Sequence, residues 1–250
     1  MAAPDASVVL VTGGAGYIGS HCAKVLRRAG YRKVLFDNLS AGHPEAALGA
    51  PLIEGDVRDA SAVRRALADS SASAVMHFAG WLDVSGSLRD PAGYYRTNTL
   101  GAIAVLEAMA AEGCRRFVFS STCAVYGEPL EVPLTETHPT RPVTPYGQTK
   151  LAVERALPHF ERAHGIRSVA LRYFNAAGAD PDGELGEDHA PEIHAIPRAL
   201  AAAAVGGAFD IYGDDYPTPD GTCVRDYIHV MRSEEHTSEL QSRFGISYAV

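Results

Sequence analysis

The sequence predicts an α/β fold in which a parallel sheet is doubly wound, with helices covering both of its faces. Two observations predict this fold. Short apolar runs alternate along the chain with longer segments in which Ala, Leu, Arg and Glu recur at helical spacing, and the connections between them are short. The first apolar run also leads directly into a glycine-rich turn and then into a helical segment.

Six runs are predicted as strands because they are short, largely apolar and bounded by turn residues. They are Val8–Val11, Lys33–Phe36, Pro51–Glu54, Ala74–Phe78, Arg116–Phe119 and Ser168–Arg172. The predicted helices between and beside them are Ser20–Ala29, Ala60–Asp69, Asn98–Glu112 and Tyr146–His164. Pro158 predicts a kink or an early end in the last helix, because proline lacks the N–H of a helical hydrogen bond.

The turn after the first strand contains Gly13, Gly16 and Gly19, a spacing that lets the backbone approach a phosphate at a helix N-terminus. Asp37 ends the second strand, eighteen residues after Gly19. A carboxylate there can accept hydrogen bonds from both ribose hydroxyls and would repel a 2′-phosphate, so it favours NAD over NADP. The alternative is a loop that only connects strand to helix. Strand, glycines, helix and acidic residue in this order favour a Rossmann-like nucleotide site.

Because ligands bind at the carboxyl ends of strands in such sheets, the later strand ends are further candidates. Asp56 follows the third strand and could accept a hydrogen bond from an adenine amino group, or could simply form a turn or helix cap. Ala79 and Gly80 follow the fourth strand and are small enough for a pyrophosphate to pass close to the backbone. Three hydroxyl residues, 120–122, end the fifth strand, which by itself is common turn chemistry.

Tyr146 and Lys150 lie four residues apart in a predicted helix that begins at Pro145. This spacing places both side chains on one helical face. A nearby ammonium stabilises a phenolate, so we expect Lys150 to lower the pKa of Tyr146 from its usual value of about 10. The pair then predicts a phenol that takes and returns a proton near neutral pH. The alternative is a surface pair, which the preceding nucleotide motif and hydroxyl-rich strand end disfavour.

The composition indicates a globular protein without a polyanionic or membrane partner. The chain has 250 residues, of which 46% are hydrophobic and 21% charged, and its net charge is −8. The four cysteines form no CxxC pair and are predicted as reduced thiols. The N-terminus does not read as a signal peptide, and no apolar run is long enough to span a bilayer. We therefore expect a cytoplasmic protein that binds neither nucleic acid nor membrane.

With these elements placed, the chain resembles the extended branch of the short-chain dehydrogenase/reductase superfamily, and within it the UDP-glucose (UDP-galactose) 4-epimerases. The resemblance runs from Val8 to about Met231. The strings that carry it are VTGGAGYIGSH, HFAG, SSTCAVYG, PYGQTK, RYFNAAGA, GEDH and YGDDYPTPDGTCVRDYIHV. It implies interconversion of UDP-glucose and UDP-galactose through a 4-keto sugar, with NAD as the resident cofactor.

The resemblance also implies the roles of particular residues. Those expected to contact NAD are Gly13, Gly16, Tyr17, Ile18, Gly19, Asp37, Asn38, Asp56, Val57, Phe78, Ala79, Gly80, Asn98, Lys150 and Tyr173. Thr122, Tyr146 and Lys150 are the expected catalytic residues. The UDP-sugar is expected to contact Thr122, Tyr146, Asn175 and Arg225, with Arg225 against the diphosphate. Homodimerisation is expected through the helices Asn98–Glu112 and Tyr146–His164.

One feature of the sequence decides against related activities, and two others depart from the family pattern. Cys123 and Ala124 follow Thr122, whereas related dehydratases and decarboxylases place a carboxylate there, so these activities are disfavoured. Leu82 replaces a lysine that often binds phosphate in the family. His194-Ala195 replaces a frequent Asn-Leu, which leaves the sugar open. The alternatives are therefore a 4-epimerase of another UDP-sugar (pentose, N-acetylhexosamine or uronate) and a noncatalytic NAD-binding fragment.

The histidines predict no metal site. Two pairs, His159 with His164 and His189 with His194, are five residues apart, which does not place them on one helical face. No tetrahedral set with cysteine can be assembled from the sequence.

The expected domain division has three parts. Residues 1–175 form the NAD-binding domain, and residues 176–231 begin an incomplete, smaller substrate-binding part. Residues 232–250 contain RSEEHTSELQS and ISYAV, which match one reading frame of a common sequencing adapter. The alternative is a genuine polar tail. We expect this segment to be an artefact and the chain to be truncated at its C-terminus.

Overall fold

The computed structural model describes residues 7–211 and 213–231. A parallel sheet with the strand order β3-β2-β1-β4-β5-β6 forms its centre. These strands are β1 Val8–Thr12, β2 Arg32–Asp37, β3 Leu52–Glu54, β4 Ala74–His77, β5 Arg116–Ser120 and β6 Arg167–Leu171. The order reverses between β1 and β4, the point where such sheets open a crevice for ligands. The predicted doubly wound fold is confirmed.

The helices lie between the strands, as the alternation of segments predicts. They are α1 Tyr17–Arg28, α2 Ala60–Ser70, α3 Val84–Arg89, α4 Pro91–Tyr94, α5 Gly101–Glu112, α6 Pro145–His164 and α7 Ala195–Val205. Short 3₁₀ turns occur at Pro44–Ala47 and Cys123–Val125, and a wider π turn at Tyr95–Leu100 joins α4 to α5. The helix expected from Asn98 therefore begins as regular α-helix only at Gly101.

Both faces of the central strand are buried, which explains its continuous apolar sequence. Leu10 belongs to a core cluster with residues of α2, α5 and α6. Val9 and Val11 point to the opposite face and pack in a second cluster with residues of α1. This burial on two sides fixes β1, and with it the turn that follows.

Helix α6 does not end early at Pro158, one of the two outcomes expected there, and it reaches the predicted end at His164. It continues to His164, where Gly165 takes a left-handed conformation and ends it. Pro158 lies on the exposed side of the helix, while Leu157 and Phe160 pack against the larger core cluster. Burial of this apolar side outweighs the loss of one backbone hydrogen bond.

A small parallel pair follows the main sheet. It consists of β7 Asn175–Ala177 and β8 Tyr227–His229, with Asn175 opposite Tyr227. Within the described ranges, every helix is too short or too polar to cross a membrane. The segment interpreted as adapter-derived, 232–250, lies outside the described residues, so that interpretation stays a prediction, which resequencing with independent primers would check.

Candidate functional site

The glycine-rich turn lies where β1 meets α1 and leaves no room for side chains. Gly13 has a left-handed φ of +70°, and a Cβ built on it would lie 2.5 Å from the backbone nitrogen of Ala79. A Cβ on Gly19 would lie 2.1 Å from the carbonyl oxygen of Gly13. The end of β4 and the start of α1 therefore pack directly against the backbone of the turn. Free N–H groups at the first turn of α1 make this place suitable for a phosphate.

Asp37 lies beside this turn at the end of β2. Its side chain is buried, and its two oxygens accept hydrogen bonds from the N–H groups of Ala15 and Leu39, each at 2.9 Å. The carboxylate thus shapes the turn in addition to any ligand that it meets. The geometry brings it next to the glycines, as the sequence predicts.

Just after the end of β3, Asp56 forms an ion pair with Arg58. Asp56 accepts hydrogen bonds from the Arg58 guanidinium at 2.6 and 2.9 Å and from the Asn38 amide at 2.9 Å. These partners, Arg58 first, hold the pKa of Asp56 well below its ordinary value. They also use much of its accepting capacity, which favours the turn interpretation over an adenine contact. Val57 is buried, and Asp59 rather than Asp56 caps α2.

Tyr17 begins α1, and its hydroxyl donates a hydrogen bond to the carbonyl oxygen of Gly178 at 2.7 Å. Burial raises the pKa of this phenol, and the nearby Glu187 and Glu192 add to the effect. Ile18 follows it and is half-buried. Tyr17 therefore links the nucleotide turn to the segment after β7.

After the end of β4, the backbone of Trp81 makes two hydrogen bonds with the side chain of Asn98. Its Oδ1 accepts from the Trp81 N–H at 2.8 Å, and its Nδ2 donates to the Trp81 carbonyl at 3.0 Å. A Cβ on Gly80 would lie 3.0 Å from Asn98 Oδ1 and 3.4 Å from Lys150 Nζ. Phe78 and Ala79 are half-buried in the same crevice wall. Asn98 thus positions the strand end, and this wall adjoins the Lys150 ammonium.

Lys150 is almost completely buried in α6, with 4% of its surface exposed. Its Nζ donates a hydrogen bond to the carbonyl oxygen of Ser120 at 2.9 Å. It lies 6.0 Å from the centre of the Tyr146 ring and 5.1 Å from that of Phe119. Burial lowers the pKa of Lys150 to about 8.

Tyr146 lies next to Thr122, as predicted, but the direction of its pKa shift is not the predicted one. Burial raises the pKa of Tyr146 to about 12, and a hydrogen bond with Thr122 opposes this only in part. The expectation that Lys150 lowers it is therefore wrong for the protein by itself. Burial withdraws water from the phenolate, and the ammonium is directed to the Ser120 carbonyl.

Thr122 and Tyr173 complete the centre of the site. Thr122 is buried at the end of β5, and its hydroxyl oxygen accepts a hydrogen bond from the Ala124 N–H at 3.1 Å. The hydroxyl of Tyr173 is hydrogen-bonded to that of Ser120. The Tyr173 carbonyl accepts from the Cys123 N–H at 3.0 Å. Tyr173, which follows β6, is thus hydrogen-bonded to residues on both sides of Thr122 at the end of β5.

The two remaining predicted substrate residues lie at the β7–β8 pair. The Asn175 side chain donates to the Asp226 carbonyl at 2.7 Å, and the Asn175 N–H donates to the same oxygen at 3.2 Å. Arg225 precedes β8 and is exposed. This pairing brings Arg225 close to Asn175, although 50 positions separate them in the sequence.

Comparison with known proteins identifies the family of this chain. Residues 9–231 match the model of the NAD dependent epimerase/dehydratase family. The chain belongs to this family. It is 52% identical over 224 residues to a UDP-glucose 4-epimerase of Rhizobium leguminosarum bv. trifolii, a match that covers 89% of this chain and 68% of the relative. The relative of Lacticaseibacillus casei is 48% identical, with the same coverage.

Solved structures of UDP-glucose 4-epimerases have a closely similar fold. The UDP-glucose 4-epimerase of Brucella ovis in complex with NAD superposes with a TM-score of 0.89 at 48% identity, covering 94% of this chain and 75% of that one. The enzyme of Bifidobacterium longum in complex with NAD⁺ and UDP gives 0.87 at 36% identity, covering 97% and 75%.

The residues of this epimerase/dehydratase chain fit NAD. The cradle at Gly13 and Gly19 is one that a Cβ would fill, and the buried Asp37 carboxylate lies beside it. The small Gly80 and the Lys150 ammonium lie along the same crevice. The helix N-terminus after the glycines suits a phosphate, and the Asp37 carboxylate suits ribose hydroxyls.

Sequence reasoning missed several residues that hold this site together. Glu154 forms an ion pair with Arg172 at 2.5 Å and accepts a hydrogen bond from Ser121. His77 is fully buried and hydrogen-bonded to Thr12 through Nδ1 at 2.7 Å. In the sequence, Glu154 and His77 are marked only as a charge and an imidazole within a predicted helix and a predicted strand. That mark does not show which residue the side chain contacts.

Replacing Asp37 by Asn tests its preference between cofactors. The amide keeps the size but removes the charge that would repel a 2′-phosphate. We expect NAD affinity to fall about tenfold, and NADP affinity relative to NAD to rise about tenfold, because one charged hydrogen bond is weakened. Fluorescence titration with both dinucleotides measures this. Glu54→Gln is the matched control, because Glu54 lies opposite Asp37 in β3 and is exposed. An unchanged NADP/NAD ratio in Asp37→Asn would contradict the assignment.

The buried Lys150 predicts a dependence of stability on pH. Its pKa falls from 10.5 to about 8 on folding. The unfolded chain therefore binds more protons between these values, so this contribution to stability rises with pH from 8 to 10.5 and is least favourable below pH 8. The full span corresponds to about 3 kcal/mol.

Lys150→Met removes this dependence. In urea unfolding without added NAD, we expect the variant to gain stability relative to the native protein at pH 7.5 and to lose that gain steadily towards pH 10. Lys33→Met, at a half-buried strand position, is the control and should change the pH dependence less. A stability difference that is constant over this range would contradict the burial argument.

Proposed function

We propose that this protein is an NAD-dependent 4-epimerase that interconverts UDP-glucose and UDP-galactose. The observation that carries the proposal is the meeting of Thr122, Tyr146 and Lys150 beside a glycine-lined crevice. Its relatives are UDP-glucose 4-epimerases, and Cys123 follows Thr122 where related dehydratases place a carboxylate. A noncatalytic role leaves this constellation without a purpose.

Tyr146 acts on the proton of the sugar 4-hydroxyl, removing it in one direction and returning it in the other. Thr122 hydrogen-bonds Tyr146 and is close enough to share the same substrate oxygen, whose charge changes during the reaction. A bound NAD would supply the hydride acceptor and donor for sugar C4, and a positive charge that favours the Tyr146 phenolate. Lys150 holds its proton beside the Tyr146 ring and the Ser120 carbonyl.

The substrate assignments rest on position. Asn175 and Arg225 both lie at the β7–β8 pair. Asn175 is only two residues beyond Tyr173, so this pair is well placed to contact the sugar nucleotide. The exposed guanidinium of Arg225 is the group of choice for a diphosphate. The solved structure of the Bifidobacterium longum enzyme with NAD⁺ and UDP supports a UDP-sugar as substrate.

We also propose a cytoplasmic homodimer. Large apolar side chains are exposed on the segment before α5, including Leu88, Tyr95 and Leu100, which are 64%, 42% and 59% exposed. A second copy of α5 and α6 would cover them. Light scattering of the purified protein checks the dimer, and a strictly monomeric mass would reject it.

The decisive experiment incubates the full-length protein, expressed from its resequenced gene, with UDP-galactose and NAD and separates the nucleotide sugars. Formation of UDP-glucose is the expected result. Conversion of a UDP-pentose, UDP-N-acetylhexosamine or UDP-uronate in its place would move the assignment to that substrate, which the changed residues at 194–195 leave open. Tight NAD binding without conversion of any of them would identify a noncatalytic binding protein.

A further inference from the structure

Two histidines and two glutamates converge in the segment before α7, away from Thr122, Tyr146 and Lys150 but including His194, whose position bears on the choice of sugar. They are Glu187, His189, Glu192 and His194, and one ligand atom from each lies within 4.8 Å of all the others. The segment 186–194 is not helical. The helical spacing that argued against a metal here therefore does not apply, and the five-residue separation of the histidines is no obstacle.

Four of the histidine–glutamate separations are small enough for the side chains to share one small cation. His194 Nδ1 lies 2.7 Å from Glu187 Oε1 and 3.1 Å from Glu192 Oε1. His189 Nδ1 lies 3.5 Å from Glu187 Oε1 and 3.7 Å from Glu192 Oε2. Tetrahedral ligands bound to zinc at their usual lengths are about 3.3 Å apart. The observed separations bracket this value.

Two of the atoms are buried and, within the described ranges, face each other or His194 as ion-pair partners without a well-aligned hydrogen bond. They are Glu187 Oε1, on a side chain that is 7% exposed, and His189 Nδ1, on one that is 13% exposed. Both point into the cluster. A metal ion at the centre of the cluster would compensate this buried carboxylate oxygen in place of the histidine ion pairs.

A neighbouring acidic cluster shows the contrasting case. Asp180, Asp182 and Glu184 surround Lys24 Nζ at 2.5, 2.9 and 2.6 Å, so an ammonium already occupies their centre. Around Glu187 and Glu192, the ion-pair partners in the described part of the chain are histidines alone. Two carboxylates and two neutral imidazoles balance one divalent ion.

We propose that these four side chains bind a structural divalent transition-metal ion, for which zinc is the test ion. Nitrogen and carboxylate donors in a four-fold set suit zinc. The backbone N–H groups of Ile193 and His194 donate to Glu192 Oε1, each at 2.8 Å, and hold that carboxylate in place. The site uses none of the residues assigned to proton transfer or to NAD.

The position of the site suggests what the ion does. The His189 ring lies 6.3 Å from that of Tyr17, which opens α1 after the glycine turn. Next to it, the Asp188 carbonyl is 3.3 Å from His43 Nε2, and the His43 N–H donates to Ala15 in the turn. The ion would therefore hold the 187–194 segment against both sides of the nucleotide turn.

The test measures zinc in the whole protein purified without a metal-affinity resin. Mass spectrometry is expected to find about one zinc per chain. Glu187→Gln with His189→Ala should lower zinc affinity at least about tenfold. The matched control is His159→Ala with His164→Ala, which removes another histidine pair five residues apart from the exposed side of α6 and should retain zinc.

A second measurement keeps the test independent of variant folding. Cobalt(II) added to the native apoprotein should give the intense visible bands of a tetrahedral site and be displaced by zinc, and zinc should raise the unfolding temperature after chelation. Zinc retained equally by the Glu187/His189 variant, or a native protein that binds neither ion, would overturn the proposal. In that case the four groups form histidine–carboxylate ion pairs only. NAD binding is unaffected by this outcome, so failure here leaves the proposed function intact.

Discussion

Tyr146→Phe should reduce the rate of UDP-galactose conversion by about 10²–10⁴-fold, because it deletes the hydroxyl that exchanges a proton with the substrate. The ring remains, so its edge contact with Tyr94 at 6.5 Å and the packing around α6 are kept. NAD affinity should change little, since the lost group faces Thr122. Product separation over time measures the rate, and fluorescence titration measures NAD binding.

Tyr31→Phe is the matched control for this variant. Tyr31 is also buried, but it belongs to the core cluster on the α1 side of the sheet. Removing its hydroxyl should leave activity close to that of the native protein. A Tyr146→Phe rate within about threefold of native, with NAD bound normally, would show that another group moves the proton and that Tyr146 is only a packing residue.

The sequence predicts the central sheet well because β1 is buried on both faces. Leu10 and its neighbours Val9 and Val11 point to opposite cores, so the whole run must be apolar. The β7–β8 pair escapes the same reasoning because its two strands have three residues each, none of which is fully buried. Short strands of this kind are determined by their partner rather than by their own pattern.

In the site, too, the sequence predicts some features and leaves others open. The four-residue spacing places Tyr146 and Lys150 on one helical face, but it does not reveal that the ammonium meets the Ser120 carbonyl. Nor does it reveal the depth of burial, which reverses the expected shift in the pKa of Tyr146. Spacing determines which side chains are neighbours, whereas the pKa also depends on water excluded by distant parts of the chain.

The second large effect is expected from Gly13→Ala. The residue has a φ of +70°, and the new Cβ would lie 2.5 to 2.8 Å from backbone atoms of Phe78 and Ala79. Neither the turn nor the end of β4 can move aside without shifting the crevice wall. We expect a loss of about 3 kcal/mol in the free energy of unfolding and at least a 100-fold loss of NAD affinity.

Gly113→Ala separates these two causes. Gly113 ends α5 with a φ of +73°, but a Cβ there has nothing within 4 Å. It therefore has the same conformational cost, about 1 kcal/mol, without the steric clash. Urea unfolding and NAD titration of both variants give the comparison. If Gly13→Ala loses no more stability than Gly113→Ala and binds NAD normally, the close approach of the turn to β4 is not what shapes the nucleotide site. If Gly13→Ala loses about 2 kcal/mol more than Gly113→Ala, the requirement for glycine at position 13 comes from space, because φ is nearly the same at both positions.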